Sequence, residues 1–190
     1  MLVVAGLLSS LVLTSVFLLV MRPQPLSPGA RSLFAVDVAE PRDQMQWIFR
    51  TLASEPARWS RIHIRHSATR RGNAQSLGGH SGDMGDHFLI GNGDGLPDGA
   101  IQIGLRWDRQ LPAELPWRGI DSATISICLV GDFDKSAPTA LQVQRLEQLI
   151  HALQRQYGIP AGAVVAQQRP GPEGIGRQFP ATIFASRLLP

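Results

Sequence analysis

Short stretches in which hydrophobic and polar residues alternate recur along the chain and predict β-strands. In 61–66, two isoleucines alternate with His63 and Arg65, which is the period of a strand. The stretch 124–130 is the most hydrophobic, so we place it at the centre of the sheet. Further strands are predicted at 87–91, 99–105 and 164–165.

Helical spacing of hydrophobic residues is found in two longer stretches. One is 42–53, where the apolar positions form one face, and the other is 138–157, which ends at Gly158. The glycine-rich stretch 73–84 is predicted to be a loop, as are 106–120 and 166–180. Strands that alternate with helices predict an α/β fold: a single domain with a central mixed β-sheet flanked by helices.

The N-terminus has a different pattern, because Leu2 to Val20 contain no charged residue. About 20 apolar residues suffice to cross a bilayer, so residues 1–21 are predicted to be a single-pass transmembrane helix that precedes the domain. A cleaved signal peptide is the alternative, although no basic residue precedes the apolar run. The proline-rich residues 22–42 are predicted to be a linker, and residues 43–190 the folded domain.

The composition argues against nucleic-acid binding and against sites built from several cysteines. The net charge is +3, only 17% of residues are charged, and the basic residues are scattered, so the chain lacks the basic patch of a nucleic-acid-binding protein. The single cysteine, Cys128, lies in an apolar run. It therefore provides neither an intramolecular disulfide nor a CxxC metal site.

Several motifs, in their order along the chain, resemble one enzyme family. The run RHSAT at 65–69 resembles HHSAT, GDHFLIGNG at 85–93 resembles GYHFLIGNG, and ISICLVGDF at 125–133 is similar to IGICLVGDF. Phe179-Pro-Ala lies where the family has CPG. These are motifs of the zinc-dependent N-acetylmuramoyl-L-alanine amidases, a family that includes the peptidoglycan recognition proteins, and the resemblance spans roughly residues 58–185.

The resemblance implies a zinc ion held by two histidines and a cysteine or aspartate, but the corresponding positions here are Arg65, Gln167 and Phe179. None of these side chains is a practical zinc ligand, so no zinc cofactor is expected. The position of the family's active-site tyrosine is Asp86, and Glu173 lies in a loop where some members carry a general acid. These two acids are the candidates for a catalytic role.

Two alternatives concern what replaces the metal. Arg65 either binds a carboxylate of a peptide stem or pairs internally with Asp86 or Glu173. A relocated metal site would need His66, Asp86 and His87, but the last two are adjacent and would point to opposite faces of a strand. We otherwise expect the two histidines to be hydrogen-bonded structural residues.

The predicted function is that of a membrane-anchored peptidoglycan-binding domain that has lost catalysis. Its partner would be peptidoglycan or a muropeptide and not a nucleic acid, with Arg65, His66, His87 and Trp107 as candidate substrate-binding residues. The alternative is an active amidase that hydrolyses the muramyl–L-alanine amide in peptidoglycan turnover. A third possibility is a structural partner in an envelope complex.

The predicted location is the bacterial inner membrane, with the domain on the periplasmic side. This location follows from the resemblance and not from charge. Arg22 and Arg31 follow the apolar segment, and the positive-inside rule taken literally would keep the domain in the cytoplasm.

Overall fold

The structure is a computed structural model that describes residues 45–49, 59–116 and 120–188. The predicted anchor at 1–21 and the predicted linker at 22–42 lie outside the described residues. Within the described ranges, no helix is both long enough and apolar enough to cross a membrane.

A five-stranded mixed sheet forms the centre of the fold. The strands lie in the order β3-β2-β4-β1-β5; β2 and β3 are antiparallel, and the other neighbours are parallel. The prediction that the stretch 124–130 is the central strand is confirmed. The bounds are β1 Arg61–His66, β2 Phe88–Ile90, β3 Ile101–Ile103, β4 Thr124–Leu129 and β5 Val164–Val165.

One long helix packs on the sheet, where the sequence predicts it. This helix, which we number α4, is Ala140–Tyr157; it begins at a capping box formed by Thr139 and Gln142 and ends at Gly158, whose φ is 67°. Its buried leucines join the isoleucines of β1 and β4 in the main core. Of the helix predicted at 42–53, the described part is α1, Gln46–Phe49.

Three short helices lie in stretches where the sequence predicted none. They are α2 (Ala74–Gly78), α3 (Leu105–Asp108) and α5 (Ala181–Ala185). In α2, the Asn73 side chain accepts a hydrogen bond from the Ser76 N–H, and the Ser76 hydroxyl accepts one from the Asn73 N–H. This capping box stabilises one helical turn before the glycines, whereas helices of four or five residues are too short to show a hydrophobic period.

The two faces of the sheet differ in chemistry. Ile62 and Ile64 of β1 belong to the main core beneath α4. Since neighbouring residues of a strand point to opposite faces, His63 and Arg65 lie on the other face, which we call the polar face. A smaller apolar cluster of Met84, Leu89, Cys128 and Val130 packs there, with Leu77 of α2 against it.

Candidate functional site

A buried hydrogen-bond network on the polar face joins Arg65, Asp86 and Ser126. Arg65 Nε donates to Asp86 Oδ1 at 3.0 Å, and Arg65 Nη2 donates to the other carboxylate oxygen, Oδ2. Ser126 Oγ donates to Asp86 Oδ1 at 2.5 Å. Asp86 and Ser126 are fully buried, and Arg65 is only 7% exposed. The network therefore connects β1, β4 and the residue two before β2 through one carboxylate.

The guanidinium of Arg65 is held by protein groups. Besides its two bonds to Asp86, Arg65 Nη1 donates to the His66 carbonyl oxygen at 3.2 Å. Both ends of the fork match the carboxylate, the geometry that makes Arg–Asp pairs strong and directional. Of the two roles considered for Arg65, the structure has the internal pair with Asp86, and it leaves the guanidinium closed to a ligand carboxylate.

His66 attaches the loop 166–180 to the end of β1. Its Nδ1 accepts the Phe133 N–H at 2.9 Å, so Nε2 carries the proton, and it donates to the Gly171 carbonyl oxygen at 2.8 Å. The His66 backbone N–H also donates to the Gly174 carbonyl oxygen, at 3.0 Å. The ring is fully buried, so the structure gives it a structural role and no surface for the predicted substrate contact.

His87 is also bonded at both ring nitrogens. Nδ1 accepts the Ser126 N–H and Nε2 donates to the Leu111 carbonyl oxygen, each at 2.9 Å. Burial lowers the pKa of His87 to about 4, so its imidazole is neutral at physiological pH. The side chain has no exposed surface for the predicted substrate contact.

The relocated metal site of His66, Asp86 and His87 is not formed. Strand β4 separates β1 from β2, so the two histidines do not lie on paired strands, and Asp86 is bonded to Arg65 and Ser126. Throughout residues 45–49, 59–116 and 120–188, no three His, Cys, Asp or Glu side chains come together as metal ligands.

Trp107 is in the main core, where it is 1% exposed. Its Nε1 donates to the Ile48 carbonyl oxygen at 3.0 Å, and its ring stacks on Trp59 with the centroids 6.1 Å apart. Trp107 therefore has almost no exposed surface in this structure, and its contact with a substrate stays a prediction. Trp107 holds α1 against the sheet.

The loop 166–180 contains the remaining residues singled out from the sequence. Gln167 is exposed, and its carbonyl oxygen accepts the Ile175 N–H at 2.9 Å. Phe179 is buried in the main core against Phe184, with ring centroids 5.4 Å apart. Glu173 is exposed.

These residues do not fit a zinc ion. Zinc needs imidazole, thiolate or carboxylate donors, and Arg65 places a permanent cation where the resemblance puts the first histidine. Cys128 is the register partner of Arg65 on β4, but burial raises the pKa of its thiol to about 12, so it is not a thiolate. The Asp86 carboxylate is chemically suited to bind a metal, but it is already bonded to Arg65.

Sequence reasoning missed two residues of this site, Ser126 and His63. Ser126 had a visible signal, because it stands where the family motif IGICLVGDF has glycine. His63 shares the polar face with Arg65 and is the register partner of Ser126. Its Nδ1 is buried and has no hydrogen-bond partner among the described residues.

Comparison with known proteins identifies the family. The sequence model for N-acetylmuramoyl-L-alanine amidase matches residues 53–177. The chain belongs to the N-acetylmuramoyl-L-alanine amidase family. A comparison with curated protein sequences finds no match.

Solved structures share the amidase fold. The N-acetylmuramoyl-L-alanine amidase LysC from Clostridium intestinale superimposes with a TM-score of 0.55 at 20% identity, covering 68% of this chain and 85% of LysC. PGRP-SA from Apis mellifera gives a TM-score of 0.51 at 19% identity, covering 66% of this chain and 81% of PGRP-SA. At these identities, the likeness concerns the fold.

The amidase motifs and the buried network coincide. Each of the three strand motifs departs from the family pattern at one polar residue, Arg65, Asp86 or Ser126. These three residues are the members of the network. The departures therefore form a mutually bonded set and are not independent changes.

Proposed function

We propose that this chain is a non-catalytic, peptidoglycan-binding member of the amidase family, in which a buried ion pair takes the place of the metal centre. The observation that carries the proposal is the Arg65–Asp86 pair at the position of the first family ligand. A guanidinium held there repels a divalent cation, and activation of a water for amide hydrolysis requires one.

Binding of peptidoglycan fragments does not require the metal. The groove in this family is formed by the sheet and its loops, and the sheet is intact. The neighbours named for peptidoglycan recognition support a muropeptide as the ligand class. The chain would therefore bind the same class of ligand as the family but would not hydrolyse its amide bond.

The same proposal places the domain at the bacterial inner membrane, on the periplasmic side, tethered by residues 1–21. It rests on the uncharged run Leu2 to Val20 and on the location of the proposed ligand. Fractionation of cells that express the full chain, followed by protease treatment of spheroplasts, tests both points. Recovery of the intact domain in the cytosol would refute them.

Two assays on the full-length chain in detergent test the function. The chain should sediment with purified murein sacculi and should release no stem peptide from them, whereas a zinc-containing amidase of the family should release it. Release of stem peptide would establish the active amidase instead. Failure to sediment would remove peptidoglycan as the ligand and favour a protein partner in the envelope.

A further inference from the structure

One buried nitrogen on the polar face has no partner. His63 is 8% exposed, and its Nδ1 makes no hydrogen bond within the described part of the chain. Leaving such a group unpaired costs about 1–3 kcal/mol, so buried polar atoms in folded proteins nearly always have a partner. Arg65 and Ser126, which flank His63 on this face, are both bonded to Asp86.

The ring is neutral, and its tautomer is defined. Burial lowers the pKa of His63; Asp86 opposes this shift and Arg65 adds to it. A hydrogen bond to the Glu173 backbone also acts on this pKa, in the direction expected when the imidazole donates. Because Nδ1 has no partner among the described residues, we assign that bond to Nε2, which leaves a lone pair on Nδ1.

The loop 166–180 is hydrogen-bonded to His66 on both sides of Glu173. Gly171 and Gly174 are bonded to His66, whereas Pro172 and Glu173 between them are exposed. The backbone of Glu173 is hydrogen-bonded to the His63 ring, so this exposed residue lies next to the buried histidine. An outward shift of Pro172 and Glu173 would expose the His63 imidazole to solvent, while the bonds to His66 would keep the rest of the loop in place.

We propose that His63 is a ligand-binding residue of the polar face, whose Nδ1 accepts a hydrogen bond from an N–H or O–H group of the bound molecule. The chemical class is a neutral donor, such as the backbone amide of a peptide stem. A carboxylate does not fit, because a lone pair cannot donate to it and Asp86 lies nearby. This inference rests on the proposed function, since it names the contact that a muropeptide would make.

A matched pair of substitutions separates binding from stability. His63→Asn keeps an acceptor close to the Nδ1 position, whereas His63→Leu has nearly the same shape as asparagine and has none. Loss of one neutral hydrogen bond should weaken binding of N-acetylmuramyl-L-alanyl-D-isoglutamine about three- to tenfold in His63→Leu, while His63→Asn stays within about twofold of wild type. The affinities are measured by calorimetry on the full-length chain in detergent.

The melting temperature should move in the opposite direction. Both substitutions remove the bond to the Glu173 backbone, but only His63→Leu also removes the unpaired buried acceptor, so we expect its Tm to exceed that of His63→Asn by about 2–4 °C. The same two substitutions at His80, which is exposed, should change neither quantity. A variant that binds less tightly while it unfolds at a higher temperature has lost a ligand contact and not a structural one.

Ring nitrogen NMR gives an independent readout. The ¹⁵N resonance of His63 Nδ1, assigned with His63→Asn, should shift toward the hydrogen-bonded position when the muropeptide is added. Equal affinities for His63→Asn and His63→Leu, or an unmoved resonance at saturation, would overturn the role of His63 while leaving peptidoglycan binding intact. Absence of any muropeptide binding by wild type would overturn both.

Discussion

The two faces of the same sheet are held in different ways. Beneath α4, isoleucines of β1 and β4 pack against buried leucines. On the polar face, Arg65, Asp86 and Ser126 are buried at the same strands and are held by directed hydrogen bonds. In apolar packing, the cost of a substitution grows with the volume of the cavity it leaves. A buried charge instead depends on its one partner, whose loss is costly at any volume.

This difference separates the part of the fold that packs from the part that carries the buried charges. The main core beneath α4 contains none of Arg65, Asp86 and Ser126. The polar face only needs its buried charges to cancel, which Arg65 and Asp86 achieve together. Function on this face can therefore change while the scaffold remains.

The largest effect should come from breaking the buried pair. Arg65→Ala leaves the Asp86 carboxylate buried without its cation, which should lower the free energy of unfolding by about 3–5 kcal/mol in urea titrations. Arg61→Ala is the matched control on the same strand, because its pair with Asp121 is half-exposed and should matter by less than about 1 kcal/mol. Equal losses for the two variants would show that the Arg65 pair is not buried as described.

A cavity on the apolar face should cost nearly as much. Leu149 is fully buried in α4, so Leu149→Ala should destabilise the chain by about 2–5 kcal/mol. Leu141→Ala, in the same helix but exposed, should cost less than about 1 kcal/mol. If Leu149→Ala had a small effect, the apolar face would not be the part of the molecule that specifies the fold.

Acid should lower the free energy of unfolding through His87, whose ring lies against Trp59 and Trp107 of the main core. The pKa of His87 is about 4 in the folded state, against about 6.5 when unfolded, so the unfolded chain binds the proton more readily between these values. The contribution of His87 is therefore complete above pH 6.5 and declines as the pH falls toward 4, by about 2 kcal/mol at pH 5.

His87→Asn tests that assignment, because asparagine keeps an acceptor for the Ser126 N–H and does not titrate. Its free energy of unfolding should decrease less between pH 7.5 and pH 5 than that of wild type. Identical pH slopes would show that His87 is not the group responsible.

The smallest net effect is expected when the whole network becomes apolar. Arg65→Met, Asp86→Leu and Ser126→Ala in one chain leave no buried charge, so stability should stay within about 1 kcal/mol of wild type. A loss as large as that of Arg65→Ala alone would mean that the hydrogen bonds themselves, and not only their mutual satisfaction, hold the polar face together.

Local patterns in the sequence predicted the scaffold well. Alternation in 61–66 and the high hydrophobicity of 124–130 identify β1 and the central strand, and Gly158 marks the end of α4. The glycines in 73–84 predict a loop, but the capping box of Asn73 and Ser76 stabilises the short helix α2 there.

The hydrogen-bond partners at the site could not be derived from the order of residues along the chain. Asp86 and Ser126 are 40 residues apart, and they meet because β4 lies between β1 and β2. Sequence alone leaves Arg65 with Asp86, Glu173 or a ligand carboxylate, and it makes Trp107 a candidate substrate-binding residue, whereas the ring is in the core. Each of these outcomes depends on strand order, which no local pattern specifies.

In the proposed function, the Arg65–Asp86 pair stands in place of the metal. Equilibrium dialysis of the full-length chain against zinc at pH 7.5 tests this proposal directly, because any competent set of ligands would bind zinc under these conditions. We predict no stoichiometric zinc in wild type and no change in its melting temperature on adding a chelator. Stoichiometric zinc that is lost in Asp86→Asn would contradict the account.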